Sequence, residues 1–319
     1  MGTIDFLAIG DTVVDEFIEL EDARVNCQID SDACTISMRW GDKIPFKKAT
    51  LVAGVGNAAN AAVSASRLGL NTALVTNIGK DRDGDEIIAQ LKGEKLKTSF
   101  IERHRGIPSN HHFVLSFQSE RTILVKHESY PYKFPKLPKV KAVYLSSLGN
   151  GTENYHDEIA SWLEKNPEIF LAFQPGTFQM KIGKERLERI YKRTNIIFVN
   201  KEEAGRILGE SDLGDIKSLA DKLHALGPKI VVITDGRNGA FALENGALTT
   251  VPMFPDPAPP VERTGAGDAF SSTTTAYFLS GLSLEESMKR GSINSAYVVQ
   301  EIGAQKGLLT RDALESKLN

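Results

Sequence analysis

The residues best suited to chemistry lie in one run, Thr264-Gly265-Ala266-Gly267-Asp268. The run follows a proline-rich stretch that cannot be helical and precedes an apolar segment of helical length. A helix that begins here presents backbone N–H groups without intrahelical partners and the positive end of its dipole, so it can bind an anion. Asp268 can then accept a proton from an alcohol while these amides stabilise the charge on a transferring phosphoryl group. The alternative is a glycine turn whose aspartate only caps the helix.

A second glycine-containing stretch, residues 54–59, formally fits the dinucleotide-binding pattern GxGxxG/A. It does not follow the first predicted strand, however, and the next strand, residues 72–76, is not followed by the acidic residue that would bind a ribose. We therefore favour a helix start that bends close to a ligand at Gly56. Asn57 and Asn60 then offer side-chain amides to substrate hydroxyl groups.

The stretch Asn200-Lys201-Glu202-Glu203 follows an apolar strand and opens a predicted helix. One interpretation is a helix N-cap with acidic residues in the first turn, where they suit the helix dipole. The other is that Asn200 faces phosphate oxygens while Glu203 orders a magnesium ion through water. This stretch alone leaves both interpretations open.

A third stretch, residues 233–240, is predicted to be a strand, a glycine turn and a second strand. A plain hairpin would explain it, because Asn-Gly is a strong hairpin signal. A nucleotide could also rest on this turn, which contains Thr234, Gly236 and Gly239, at the carboxyl edge of a sheet.

The composition is that of an ordinary globular protein: 319 residues, 41% hydrophobic and 25% charged, with a net charge of −3. No run of like charge points to nucleic acid or a membrane surface, and no apolar run approaches a membrane span. The N-terminus lacks the pattern of a signal peptide. Cys27 and Cys34 have neither metal-ligand spacing nor the pattern of a disulfide framework. We therefore expect two reduced thiols in a cytoplasmic protein.

Strands that alternate with helices must position these residues. This pattern is regular from residue 140 onward and predicts a doubly wound α/β fold, a mostly parallel sheet with helices on both faces. The predicted strands are 6–9, 72–76, 143–145, 169–173, 196–199 and 230–233, and the predicted helices are 57–68, 84–91, 155–163, 185–191, 202–208, 219–226 and 269–279. Ligands of such sheets bind at the carboxyl ends of strands. The residues expected there are Gly10, Asn77, Ser146, Gln174, Asn200 and Thr234.

Two regions instead alternate between apolar and polar residues, which is typical of strands with one solvated face. In the first, Cys34, Ile36, Met38 and Trp40 share a face, and in the second Phe113, Leu115 and Phe117 do. We expect about 12–50 and 98–128 to join into one small sheet, a lid outside the main body. The whole chain, 1–319, is then a single domain that carries this lid.

Taken together, these stretches resemble the ribokinase-like (PfkB) family of carbohydrate kinases. The similar stretches are 264–268 (the family's DTxGAGD signature), 56–60 with 67–69 (its N-terminal signature, GG-x-x-x-N ending in ARLG), 200–203 (its NxxE motif), 234–236 (its TxG turn) and Asp15, five residues after Gly10, where the family has a sugar-binding Asp. The order and spacing hold from about residue 6 to the C-terminus.

The resemblance implies a role for each matched residue. Asp268 would be the general base, and the amides of Gly265, Ala266 and Gly267 the anion hole. The residues that would hold substrate hydroxyls are Asp15, Gly56, Asn57 and Asn60. The residues that would line the ATP site are Asn200, Thr234, Gly236 and Gly239, with Glu203 near Mg2+. The family fold, a large doubly wound domain with a small β lid, agrees with the lid expected from alternation.

The sequence departs from the family pattern at four positions. Glu262 and Arg263 stand where the family usually has Asp and Thr, in a loop that often holds K+ through its carbonyls. Activation by K+ is therefore open, although Gly303-Ala304 resembles the other half of that ion site. Arg263 is either a phosphate-binding cation or a solvated surface arginine. Val55 and Val13 replace a glycine and a polar residue of the sugar site, so ribose is not implied.

We therefore predict an ATP-dependent kinase that phosphorylates a primary hydroxyl of a sugar or sugar-like molecule. One alternative is a nucleoside kinase of the same family, in which Phe113 and Phe117 stack on a base; the other role for those aromatic residues is lid core or a dimer contact. A further alternative is a sugar- or nucleotide-binding protein without turnover. The partners expected are a small-molecule substrate and a second copy bound through the lid, and neither nucleic acid nor membrane.

Overall fold

The computed structural model describes residues 2–27, 34–117 and 120–318, so parts of the predicted lid, 28–33 and 118–119, lie outside the described residues. The strands described are β1 (Ile4–Ile9), β2 (Val13–Leu20), β3 (Arg24–Cys27), β4 (Cys34–Ser37), β5 (Phe46–Val55), β6 (Thr72–Gly79), β7 (Ile101–His104), β8 (His111–Phe117), β9 (Glu120–Leu124), β10 (Val140–Leu145), β11 (Phe170–Phe173), β12 (Ile196–Asn200), β13 (Ile230–Thr234), β14 (Ala240–Glu244) and β15 (Ala247–Val251).

The helices described are α1 (Asn57–Arg67), α2 (Arg82–Gly93), α3 (Glu153–Lys165), α4 (Thr177–Ile182), α5 (Glu188–Arg193), α6 (Lys201–Leu208), α7 (Ile216–His224), α8 (Ala266–Leu279), α9 (Leu284–Val298) and α10 (Arg311–Glu315). The prediction of one helix over 185–191 is wrong in its bounds: α5 begins later, and the separate α4 precedes it. Within the described ranges, no helix combines the length and the apolar character needed to cross a membrane.

The large sheet confirms the predicted α/β class. In the described part of the chain it has nine strands in the order β15-β14-β13-β12-β11-β10-β1-β6-β7. The pairs from β13 to β7 are parallel, and β14 and β15 extend the edge in antiparallel pairing. The apolar runs become strands buried on both faces: Phe6 and Ala8 of β1 pack into one core, and Leu7 and Ile9 into the other.

A small sheet of four strands lies beside this body, in the order β5-β2-β8-β9 within the described residues. The pair β2–β8 is parallel and the other two pairs are antiparallel. Two details differ from the expectation. The strand expected over 34–40 is the shorter β4, which pairs with β3 outside this sheet, and β7, inside the expected lid region, joins the large sheet. The strands that join β8 and β9 in the small sheet are β2 and β5.

The expectation of two reduced thiols is wrong, because Cys34 is disulfide-bonded. The pairing of β3 with β4 sets the backbone of Cys27 directly opposite that of Cys34. Residues opposed across an antiparallel pair have closely spaced Cα atoms, within the range that a disulfide requires. The sequence separation of the two cysteines carries no sign of this hairpin.

Candidate active site

A cavity of about 640 Å³ opens at the carboxyl ends of the strands of the large sheet, with the small sheet on its other side. It is lined by most of the residues singled out from the sequence: Asp15, Gly56, Asn57, Asn60, Asn200, Glu203, Thr234, Gly265, Ala266, Gly267 and Asp268. Gly236 and Gly239 line a second cavity of about 460 Å³, which shares Thr234, Ala266 and Gly267 with the first. The structure therefore brings every predicted site residue to one of two adjoining cavities.

The start of α8 has the geometry of an anion site. Its N-cap is Gly265, in the left-handed conformation with φ 83°, and this residue has no side chain that could cap the first N–H groups of the helix. A Cβ on Gly265 would lie 2.4 Å from the Cβ of Ala304, so only glycine fits against that loop. A Cβ on Gly267 would meet nothing nearer than Gln174 Nε2 at 3.9 Å. The backbone at Gly267 is therefore open to a bulky anion.

Asp268 is 6% exposed and lies between three side-chain amides. Asn57 Nδ2 donates to Oδ1 at 2.8 Å, Asn60 Nδ2 to Oδ2 at 2.8 Å, and Gln174 Nε2 to Oδ1 at 3.1 Å. Burial raises the pKa of this carboxyl group, and the three hydrogen bonds oppose that rise. A carboxylate accepts about four hydrogen bonds, so one position is left for a substrate hydroxyl.

Asn57 and Asn60 therefore have a role that the sequence reasoning did not include. They were expected to hold substrate hydroxyls, and in the structure both hold the carboxylate of Asp268. Gln174 was noted only as a polar residue at a strand end. It joins them because β11 ends at the same sheet edge.

A second carboxylate that the sequence reasoning missed is Asp11, 3% exposed at the end of β1. It accepts hydrogen bonds from Gly149 N at 2.7 Å and from Tyr132 Oη at 2.8 Å, and His127 Nδ1 lies 3.2 Å away. Like Asp15, Asp11 lines the 640 Å³ cavity. The signal available in the sequence was its place directly after a buried strand.

Asp15 reaches the same cavity from the small sheet. Its Oδ1 lies 3.2 Å from Nδ1 of His112, which neighbours it across the β2–β8 pair. The rings of His112 and His127 are 5.1 Å apart. Carboxylates and imidazoles together can accept from and donate to several hydroxyl groups, as a polyhydroxylated substrate requires.

The Asn200–Glu203 stretch forms a capping box on α6. Asn200 Oδ1 accepts from Glu203 N at 2.7 Å, and Glu203 Oε2 accepts from Asn200 N at 2.9 Å. Both residues also line the cavity, and burial raises the pKa of Glu203. In residues 2–27, 34–117 and 120–318 no group of three or more His, Cys, Asp or Glu side chains could hold a metal ion. The donors fit Mg2+ carried by phosphates and touched through water, since Glu203 keeps lone pairs beyond its bond to Asn200.

The second cavity suits a nucleotide. Gly236 and Gly239 have φ of 50° and 93°, and a Cβ on Gly239 would lie 2.3 Å from the carbonyl oxygen of Val251. Met253 and Phe254 give this cavity an apolar wall. The turn expected to be either a hairpin or a nucleotide platform has features of both, because it joins β13 to β14 and lines the cavity.

Arg263 lines both cavities, so it lies where phosphates would pass between them. Its side chain is 53% exposed, and Nη2 is 3.9 Å from Asp256 Oδ2. This long, half-solvated ion pair leaves the guanidinium able to turn toward an anion.

Comparison with known proteins gives a match to the model of the pfkB family of carbohydrate kinases over residues 29–311. The chain is 26% identical to an uncharacterized sugar kinase of Archaeoglobus fulgidus, over 76% of this chain and 97% of the relative. It is 24% identical to a nucleoside kinase of Methanothermobacter thermautotrophicus, over 79% and 80%. A ribokinase structure of Arabidopsis thaliana, complexed with ribose and ATP, has a similar fold, with a TM-score of 0.82, 19% identity and coverage of 100% and 99%.

Proposed function

The chain belongs to the pfkB family of carbohydrate kinases and is an ATP-dependent kinase, and from this premise we propose that it phosphorylates a primary hydroxyl of a sugar or sugar-like substrate. The observation that carries the proposal is the placement of the Asp268 carboxylate beside the uncapped start of α8, in one cavity with Asp15. A base, an anion site and a polar hydroxyl-binding wall are the parts that in-line phosphoryl transfer needs.

In this reaction the substrate oxygen attacks the γ-phosphorus of ATP, the bond to the β-phosphate oxygen breaks, and ADP leaves. Asp268 takes the proton of the hydroxyl group at the lone pair that the three amides leave free. The amides of Gly265, Ala266 and Gly267 stabilise the charge on the transferring group. Bound Mg2+ would neutralise phosphate charge, and Glu203 with Asn200 would face it.

The small sheet would act as the lid of this site. Its strands β2 and β8 carry Asp15 and His112 into the cavity, so a substrate bound to them is covered from the side opposite Asp268. Closure would exclude water, which competes with the substrate for the phosphoryl group.

A nucleoside substrate is the second candidate. The predicted stacking residues do not support it, because Phe113 alternates away from the cavity that its neighbour His112 lines, and Phe117 lines a separate cavity. Phe178 and Ile123 line the cavity of about 640 Å³ instead, which we call the active cavity, and the ring of Phe178 lies 5.5 Å from that of His127. An apolar wall beside the hydroxyl-binding groups could hold a base.

The proposal includes a dimer formed through the outer face of the small sheet. Leu51, Phe113 and Leu124 lie in one cross-strand row of this face, with Glu16 between Leu51 and Phe113, and are 43%, 41% and 51% exposed. Apolar side chains in such a row favour association with a second copy.

A panel of sugars and nucleosides, assayed for ADP release, tests the function. We expect turnover with one class of sugar and its loss in Asp268→Asn. Turnover with nucleosides alone would favour the second candidate. Calorimetric binding of ATP with no ADP formed from any panel member would instead indicate a binding protein.

A further inference from the structure

Glu262 joins two loops beneath the anion site. Its side chain is 10% exposed, and its Oε1 accepts hydrogen bonds from the backbone N–H of Thr264, at 3.1 Å, and from the Thr264 hydroxyl. Its Oε2 accepts from Gly303 N at 3.2 Å. The carboxylate therefore ties the loop that leads into α8 to the loop that packs against Gly265 through Ala304.

A cation from the small sheet reaches this carboxylate. Arg121 of β9 places Nε 3.4 Å from Glu262 Oε1, and within the described residues it is the one cation in an ion pair with Glu262. Arg121 also lines the active cavity and is 29% exposed. Burial raises the pKa of Glu262, and the charge of Arg121 and the backbone N–H groups oppose that rise. The ion pair thus runs from the lid to the anion-hole loop.

This arrangement does not fit the potassium ion that the resemblance to the family implies for the same loop. Both oxygens of Glu262 already accept from backbone donors, and a guanidinium already balances their charge. A monovalent cation held by the carbonyls of this loop would therefore gain little from the Glu262 carboxylate, whose charge Arg121 already balances. A buried carboxylate can remain ionised when it is paired and hydrogen-bonded. Removal of its cationic partner leaves an uncompensated buried charge, which destabilises the fold.

We propose, on the basis of the function proposed above, that Arg121 supplies the positive charge at this loop in place of a monovalent ion and couples lid closure to the order of the anion hole. Arg121 is then a positioning residue that acts through Glu262. When the small sheet moves away, Glu262 loses its cation, and the loop before α8 loses one of its fixed points. The anion hole is complete only when the lid is closed.

The first test is calorimetric binding of ADP and of AMP-PNP, whose third phosphate reaches the anion hole. It is run on the wild-type chain in KCl and in tetramethylammonium chloride at equal ionic strength. We expect the AMP-PNP dissociation constant to agree within two-fold between the salts. A stronger effect of K+ overturns the proposal. If the wild-type chain binds neither nucleotide, it is the kinase function that fails, so the two failures are distinguishable.

The second test is a double-mutant cycle on the same binding constants. Arg121→Met and Glu262→Gln should each weaken AMP-PNP about ten-fold, the low end for a charge-assisted contact, and leave ADP within two-fold. The double variant should be no weaker than Glu262→Gln alone. The matched control is Lys126→Met, which removes another lid cation, 68% exposed and paired with Glu128. The coupling is refuted if the losses of AMP-PNP affinity multiply in the double variant, or if ADP affinity falls equally. If the variants fail to fold, the salt comparison still tests whether K+ is needed at this loop.

Discussion

Replacement of Asn57 by alanine should raise the pKa of Asp268, the proposed general base. Asn57 Nδ2 donates to Asp268 Oδ1 at 2.8 Å, and that bond favours the ionised carboxylate. A hydrogen bond to a charged group contributes about 1.5–3 kcal/mol, and the partial exposure of Asn57 to the cavity points to the low end. A loss of about 1.5 kcal/mol corresponds to a rise of about one pKa unit.

The assay is the pH dependence of kcat/KM in the wild type and in Asn57→Ala. The base works only when ionised, so a higher pKa moves the acidic limb of the profile about one unit toward alkaline pH. Above that limb the variant should approach the wild-type rate, because its carboxylate is again ionised. The variant is thus strongly impaired at acidic pH and mildly at alkaline pH.

The competing explanation is that Asn57 binds a substrate hydroxyl, as first expected from the sequence. In that case KM rises at every pH and the limb stays in place, a result that would refute the reasoning. Ser64→Ala is the matched control, because Ser64 lies about two turns further along α1 and its hydroxyl contacts Thr273 of α8 at 3.3 Å without touching Asp268. It should leave the limb unchanged.

Three further predictions follow from the geometry. Asp268→Asn should lower kcat by about two to four orders of magnitude with an unchanged circular dichroism spectrum. The free energy of unfolding of Asp268→Asn in urea, relative to that of the wild type, should increase as pH rises from 3.8 through the pKa of Asp268 in the folded protein. Burial raises that pKa, so ionisation of Asp268 destabilises the wild type and has no counterpart in the variant. A difference that does not change with pH would contradict this. Gly265→Ala should lower the calorimetric Tm by several degrees, because it adds a Cβ 2.4 Å from Ala304 at a φ of 83°, and an unchanged Tm would show that the loop relaxes. Phe113→Glu should convert a dimer to a monomer in sedimentation, and a monomeric wild type would remove the proposed interface.

Much of the large domain was predictable because its signals are local. Buried parallel strands are short apolar runs, and the alternation with helices after residue 140 is sufficient to predict the parallel strands from β10 to β13. The start of α8 was predictable for the same reason, since residues 264–268 contain both the glycine turn and the first helical residues. The small sheet was harder to predict, because β5 begins with an exposed phenylalanine and two exposed lysines, a pattern that does not indicate a strand.

Contacts between distant segments could not be predicted from the sequence. Asn57 and Asp268 are 211 residues apart, and nothing local to either shows that the amide serves the carboxylate rather than a substrate. The same is true of Arg121 and Glu262, which meet only because the small sheet lies over the loop before α8. Cys34 belongs here too, because the spacing of the cysteines gives no sign of the disulfide in which Cys34 takes part.

The two walls of the active cavity come from different sheets, and this division has an evolutionary consequence. Asp268 and the α8 amides belong to the large body, whereas Asp15 and His112 are carried by strands of the small sheet. Under the proposed function, substitutions in β2 or β8 change which hydroxyl pattern is accepted, while the residues proposed for phosphoryl transfer stay in place. Related enzymes built in this way can acquire different acceptor specificities through changes in the small sheet alone, without a change in the reaction.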